Sequence, residues 1–270
     1  MTPTRPWCIL LIGLILTCSR ASADDTAARA ELVPTGTLRV AIAVGPTYSG
    51  IYAVKDAASG NYRGVTIDLS TALAKKLEVP ITFVPYLGSG EIQEAAASDV
   101  WDVTFMPIDD ERRKFVDFGA SYHLLQSTYL VAPGSTIKTI TDANAGGVRI
   151  VGVKGTATFR ASNRASPNAS HTALMGVDDT IAMMLAGKAD AVALGRASLG
   201  GVVEKLPGAR ILDGGFLNST TAAAVPKGKP EALAYVSTFV EDAKASGLVR
   251  RAFDAVGLGG EQVAPAGKKP

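Results

Sequence analysis

The sequence predicts an α/β protein, and three observations carry that reading. Short β-rich runs at 36–43, 80–85, 148–153 and 187–194 alternate with stretches of helical composition. Clusters of turn residues, such as Gly45-Pro46-Thr47-Tyr48 and Ala58-Ser59-Gly60-Asn61, punctuate them. Hydrophobic residues make up 47% of the chain and are rich in Ala, Val, Leu and Ile, enough to bury sizeable cores. No internal repeat or low-complexity region is evident.

The chain opens as a secretory signal peptide does. Arg5 is followed by an apolar run from Trp7 to Cys18 and then Ala21-Ser22-Ala23, so residues 1–23 are the expected leader, cleaved after Ala23. The apolar run is too short for a helix across a hydrocarbon core about 30 Å thick. A lipoprotein reading through Cys18 stays open, with Thr17 where a small residue is expected. Both cysteines lie in this segment, so the mature chain offers no disulfide, thiolate nucleophile or cysteine metal site. The leader carries Arg5 and Arg20 and no acid, so its removal takes the formal net charge from +2 to 0. Without a basic stripe, neither nucleic acid nor an anionic membrane is an expected partner. The 270 residues less 23 leave 247, one large domain or two lobes of ordinary size.

In the first half, Gly36–Ala43 is a strand that stops at the turn over 45–48. A polar hairpin covers 56–62, residues 64–69 lead into a helix over 70–77, and Pro80–Pro85 is the next strand of a right-handed β-α-β unit. Tyr86–Gly90 precedes a helix from Glu91 to about Ala97. There Ser89 serves either as a helix cap or as a loop hydroxyl facing a ligand.

The stretch Trp101–Tyr122, WDVTFMPIDDERRKFVDFGASY, is the most informative. An apolar strand over 102–108 breaks at Pro107, and a helix restarts behind Asp109-Asp110. A strand end feeding a helix N-terminus gathers unpaired N–H groups and the positive end of the dipole, a ready anion site. Arg112 adds a planar fork suited to a carboxylate. Read alone, Arg112, Arg113 and Lys114 equally suit a solvated helix face. Further on, Gln126–Pro133 and Val148–Val153 are strands, and Lys154-Gly155-Thr156-Ala157-Thr158 starts a helix where glycine permits close backbone approach. Val177–Thr180 caps a helix whose Met183 and Met184 belong to a core. A strand over 187–194, a short one near Arg210–Leu212, another over Thr221–Val225 and helices over 226–257 follow. Residues 261–270, rich in Pro, Gly and Lys, are an expected frayed tail.

Trp101-Asp102-Val103, Glu111-Arg112 and Val116-Asp117-Phe118 resemble the signature of the family 3 periplasmic solute-binding proteins, the polar-amino-acid receptors of ABC importers. Gly155-Thr156 and Gly187-Lys188-Ala189-Asp190-Ala191 match further phrases, and the resemblance runs from Gly36 to Gly259. It implies a two-lobed periplasmic-binding-protein fold (type II), its lobes joined by two crossing strands. Lobe 1 would hold 24–129 and 225–260, and lobe 2 would hold 130–224. It further implies a periplasmic monomer that closes on a small carboxylate-bearing solute and presents it to the importer's membrane subunits, without cofactor or metal. Arg112 matches the family's ligand-carboxylate arginine. Gly155, Thr156 and Ala157 match the lobe 2 helix start that holds the carboxylate from the other side. Tyr48 matches the aromatic that packs over the ligand, while Ser89, Met106 and Pro107 fall at the cleft edge.

Two departures bear on the solute. Gly195, followed by Arg196, stands where amino-acid receptors place an aspartate for the ligand's ammonium, and a buried ammonium without a partner is costly. Pro107 stands where the family has a Ser or Thr donor, and proline offers neither N–H nor hydroxyl. The expectation is a carboxylate-bearing solute without a standard α-amino group, its second anionic or acceptor group near Arg196. Asp109, in place of the usual Thr, is the alternative acid that would restore amino-acid binding. Catalysis is not expected: His123 and His171 lack metal-ligand spacing, and no G-x-S-x-G or Walker pattern occurs. Periplasmic cyclohexadienyl dehydratases resemble this fold, and Asp109, Asp110 and Glu91 are the candidate general acids of that reading.

Overall fold

A computed structural model describes residues 23–45 and 50–268. The expected leader up to Ser22 and the expected ligand aromatic Tyr48 lie outside the described residues. Lobe 1 begins with α1 (Ala23–Leu32), β1 (Leu38–Ala43), the hairpin β2 (Val54–Lys55) and β3 (Tyr62–Arg63), and α2 (Val65–Lys76). It continues through β4 (Ile81–Tyr86), α3 (Ser89–Glu94) and β5 (Val103–Pro107). The long strand β6 (Val116–Val131) crosses into lobe 2. That lobe holds β7 (Arg149–Val153), α4 (Ala157–Ala165), β8 (Ser170–Leu174), α5 (Val177–Leu185), β9 (Ala191–Gly195), α6 (Arg196–Val203) and β10 (Arg210–Ile211). β11 (Leu217–Pro226) crosses back antiparallel to β6, and α7 (Pro230–Ala245) and α8 (Leu248–Ala255) close on lobe 1. The sheet order is β4-β1-β5-β11-β6-β9-β7-β8, with β10 on the side of β6. The type II two-lobed fold with two crossing strands is therefore present.

Helices cover both faces of each half-sheet, so the inner strands are buried on both sides and read as apolar runs rather than alternations. In lobe 1, Leu73, Val236 and Phe253 pack on one face, while Ile92, Trp101 and Met106 pack on the other. In lobe 2, Ile181, Leu199 and Val202 oppose Tyr129, Ile150 and Leu212 across the sheet. Gly64 opens α2 at φ 141°, where a Cβ would lie 2.1 Å from the Tyr52 carbonyl oxygen, so only glycine fits.

Several elements differ from expectation. The helix expected behind Asp109-Asp110 is a single 3₁₀ turn, Arg112–Lys114, because the β-forming run from Val116 starts at once. The strand expected at Gln126–Pro133 is only the far end of β6, whose burial on both faces hides its length from any alternation test. β8, SHTAL, is a polar edge strand without an apolar signature. Residues 261–268, the expected frayed tail, run along β6: the N–H groups of Leu124 and Ala264 donate to Gln262 and Tyr122 carbonyls at 3.0 and 2.9 Å.

The two lobes repeat one plan, which the sequence conceals. β1-α2-β4-α3-β5 and β7-α4-β8-α5-β9 both place the first strand between the second and the third. At the foot of β1, Arg39 clips Asp102 through Nε (3.0 Å) and Nη2 (2.7 Å) and donates Nη1 to the Asp99 carbonyl. At the foot of β7, Arg149 clips Asp190 through Nε (3.0 Å) and Nη2 (2.6 Å) and donates Nη1 to the Gly187 carbonyl. Asp99 and Gly187 both have left-handed φ, 51° and 64°. Two residue types at corresponding places are too few to register as a repeat in the sequence alone.

Candidate functional site

The carboxyl ends of β1, β5, β7 and β9 converge between the lobes, the crevice where ligands bind in α/β sheets. They enclose a cavity of about 40 Å³. Phe105 and Pro107 reach it from β5, Val153 from β7, and Leu194 and Gly195 from β9. Ser89 at the start of α3, Thr156, Ala157 and Thr158 at the start of α4, and Tyr52 complete most of its wall. No lining residue is acidic.

Arg112 is fully buried just behind this wall, held by two of its members. Nη1 donates to the Pro107 carbonyl at 2.7 Å, and Nη2 donates to Ser89 Oγ at 2.6 Å and to the Gly155 carbonyl of lobe 2 at 3.4 Å. All three acceptors are neutral, and buried Nε has no protein partner. Burial, with the nearby Arg160 charge adding to it, pulls the Arg112 guanidinium down to about 10, so it is cationic at neutral pH. Ser89 Oγ accepts from the guanidinium, which leaves its own O–H to donate into the cavity. Burial pushes the Tyr52 phenol up to about 12, with the Arg112 charge offsetting part of that effect.

Lobe 2 meets this cation with a helix start. Thr156 caps α4, its Oγ1 accepting from Phe159 N–H at 3.1 Å and donating to the Val153 carbonyl at 2.8 Å. The hydroxyl is thus committed to the helix, while the N–H groups of Ala157 and Thr158 have no acceptor within it. Between the lobes, Arg160 of α4 grips Asp109, with Nη2 to Oδ1 at 2.5 Å and Nε to Oδ2 at 3.3 Å. Burial acts to raise the Asp109 carboxyl, but the Arg160 hydrogen bonds and the charges of Arg160 and Arg112 outweigh it and hold it below its ordinary range. Gly90 and Gly155 face each other across the same seam, each too close to the other's backbone for a Cβ.

Of the expected site residues, Ser89, Pro107, Thr156, Ala157 and Gly195 line the cavity, and Arg112 and Gly155 adjoin it. Two do not. Met106 alternates with Phe105 and Pro107, so its side chain is buried on the opposite face beside Trp101. Arg196 turns away to the crossing strands, where Nε donates to Gln126 Oε1 at 2.6 Å and Nη2 to the Leu212 and Gly214 carbonyls, beside a groove of about 670 Å³. Asp109, the alternative acid, is occupied by Arg160. Tyr52 and Phe105 are among the wall residues that carry no sequence signal: Tyr52 follows the turn cluster that contains Tyr48, and Phe105 reads as an ordinary strand residue. Among the described residues, no group of His, Cys, Asp and Glu is arranged to hold a metal, and no helix is long and apolar enough to cross a membrane.

The crevice, the buried arginine and the opposed helix start define a two-lobed solute receptor. Residues 40–255 match the family of bacterial extracellular solute-binding proteins, family 3, and the chain belongs to it. Among its relatives is a glutamine-binding protein of Geobacillus stearothermophilus, 26% identical over 208 residues, spanning 73% of this chain and 76% of the relative. The glutamine-binding protein of a Bacillus subtilis (strain 168) ABC transporter is 24% identical over 212 residues, 74% and 75% of the two chains. A solved ancestral amino-acid-binding protein, a precursor of cyclohexadienyl dehydratase, superposes with a TM-score of 0.73 at 29% identity, covering 84% of this chain and 97% of the other.

Proposed function

We propose that this chain is the periplasmic receptor of an ABC importer, closing on a small carboxylate-bearing solute that lacks a standard α-amino group. One observation carries the reading: a fully buried arginine faces only neutral oxygens, behind a cavity wall that contains no acid. A buried cation hydrogen-bonded only to neutral oxygens, with Asp109 acting on it only at a distance, is costly, and an incoming carboxylate relieves that cost. An α-ammonium would find no partner, because Gly195 supplies no side chain and Asp109 is bound by Arg160. The solute carboxylate accepts from the Ser89 hydroxyl, polarised by Arg112, and from the free N–H groups of α4. Contacts from both lobes favour the closed form, which the importer's membrane subunits recognise. The receptor acts as a monomer, returns its solute unchanged, and divides near residues 130 and 225 into its two lobes.

The second reading is a receptor for a polar amino acid, favoured by the glutamine-binding relatives. A thermal-shift screen of the ligand-stripped mature protein separates the two. A solute at a hundred times its dissociation constant adds about 2.7 kcal/mol of stability. A shift with simple carboxylates and none with amino acids supports the proposal; a shift with glutamine or another amino acid overturns it. Recovery of an altered solute after incubation would point instead to a dehydratase-like activity.

A further inference from the structure

We infer that Phe105 sets the length of the solute, restricting this receptor to short monocarboxylates. The inference rests on the carboxylate reading above and narrows it. The cavity of about 40 Å³ is small; one water needs roughly 10–15 Å³ on this measure, so there is room for about three. Phe105 occupies the wall at the end of β5, on the same face as Pro107, and is 4% exposed. It cannot swing aside. Its ring meets Tyr122 edge-on, with centroids 5.7 Å apart and planes at 83°, and Tyr122 stacks in turn on Phe253. Tyr122 and Phe253 are both fully buried, so the phenyl ring is fixed by the packing of lobe 1 itself.

The lobes cannot part to make room without a loss. The Asp109–Arg160 bridge and the backbone approach of Gly90 to Gly155 lie on the seam that a longer solute would force open. The remaining walls set the apolar Ala43, Val153 and Leu194 beside the hydroxyl-bearing Tyr52, Thr158 and Ser198 and carry no charge, so a short alkyl or oxo-alkyl tail suits them and a charged side chain does not. A solute fits fully only if its tail ends before Phe105.

The test is a chain-length series of acetate, butyrate, hexanoate and octanoate, with glutamine beside it, titrated into the wild type, Phe105→Leu and Phe105→Ala by calorimetry and thermal shift. Wild type is expected to bind acetate or butyrate at least tenfold more tightly than hexanoate. Phe105→Leu should move the optimum to a longer acid, and Phe105→Ala further still; the leucine variant keeps the test valid if the alanine variant does not fold. Wild-type affinity that is equal or rising up to octanoate, or an unchanged optimum in Phe105→Leu, overturns the size limit and leaves the carboxylate reading standing. Binding of glutamine, or of no carboxylate at all, overturns both.

Discussion

At the scale of single residues, Arg112 is the most consequential. Its charge is held by a carbonyl, a hydroxyl and a more distant carbonyl, none of them ionised. Removing it has an outcome opposite to that of an ordinary core substitution. A buried cation whose acceptors are all neutral carries a desolvation cost that an apolar side chain of similar length does not. Arg112→Met is therefore expected to keep or raise the melting temperature of the solute-free protein while abolishing the shift that solute produces. A variant that still responds to solute would remove Arg112 from the site. The arginine itself was legible in the sequence, because Glu111-Arg112 and Val116-Asp117-Phe118 form a specific phrase. Its neighbours were not. Met106, Phe105 and Pro107 are adjacent in the chain, and only the phase of β5 decides that the outer two face the cavity and the middle one does not. Arg196 misled for a similar reason: its place beside Gly195 says nothing of where a long side chain turns.

At the scale of elements, a short apolar run bounded by turns is legible as a strand, and a strand defined by its partners is not. β1, β4 and β7 announce themselves, whereas β6 is sixteen residues long and only its last part was anticipated. The C-terminal segment shows the same limit. Its Pro, Gly and Lys content suggests fraying, yet it fills the edge of β6 that neither β11 nor β9 covers. Glu261 Oε2 lies 2.7 Å from His123 Nε2, and His123 is fully buried in the middle of the crossing strand. The Lys244 ammonium donates to the Pro265 carbonyl, tying the segment to α7 as well. Deleting residues 261–270 is expected to lower the melting temperature and to weaken solute binding, since the crossing strand loses edge partners and His123 loses its carboxylate. Isothermal titration and melting curves check both. A truncated protein that melts lower but binds with unchanged affinity would assign the segment to stability alone.

At the scale of the whole molecule, closure is the property to explain. The Asp109–Arg160 pair spans the lobes with side chains only 9% and 23% exposed. A charge-assisted contact of this kind is worth about 1.5 kcal/mol, roughly tenfold in a closed-to-open ratio. The Asp109 carboxyl is held below its ordinary 3.8 when the lobes are closed. Its contribution is therefore complete above that value and is lost as the pH falls through the lowered one. Small-angle scattering of the solute-free protein should report the same radius of gyration at pH 7 and pH 5. Asp109→Asn should give a larger radius at both; an unchanged radius would mean that the bridge does not govern closure. Each lobe is fastened at its base by an Arg–Asp clip remote from the crevice, and the described chain passes between the lobes along β6 and β11.

The C-terminal segment lies along β6, one of those two strands. A fluorophore or affinity handle joined at the end of the chain would be coupled mechanically to the joint and would report, or disturb, each opening. One joined ahead of α1, which packs against α7 of lobe 1 through the Glu31 carboxylate and the Ala232 N–H, would ride passively on a single lobe. For anyone building a sensor from this receptor, the two ends of the chain are not equivalent: the tail is the signal end and the head is the anchor.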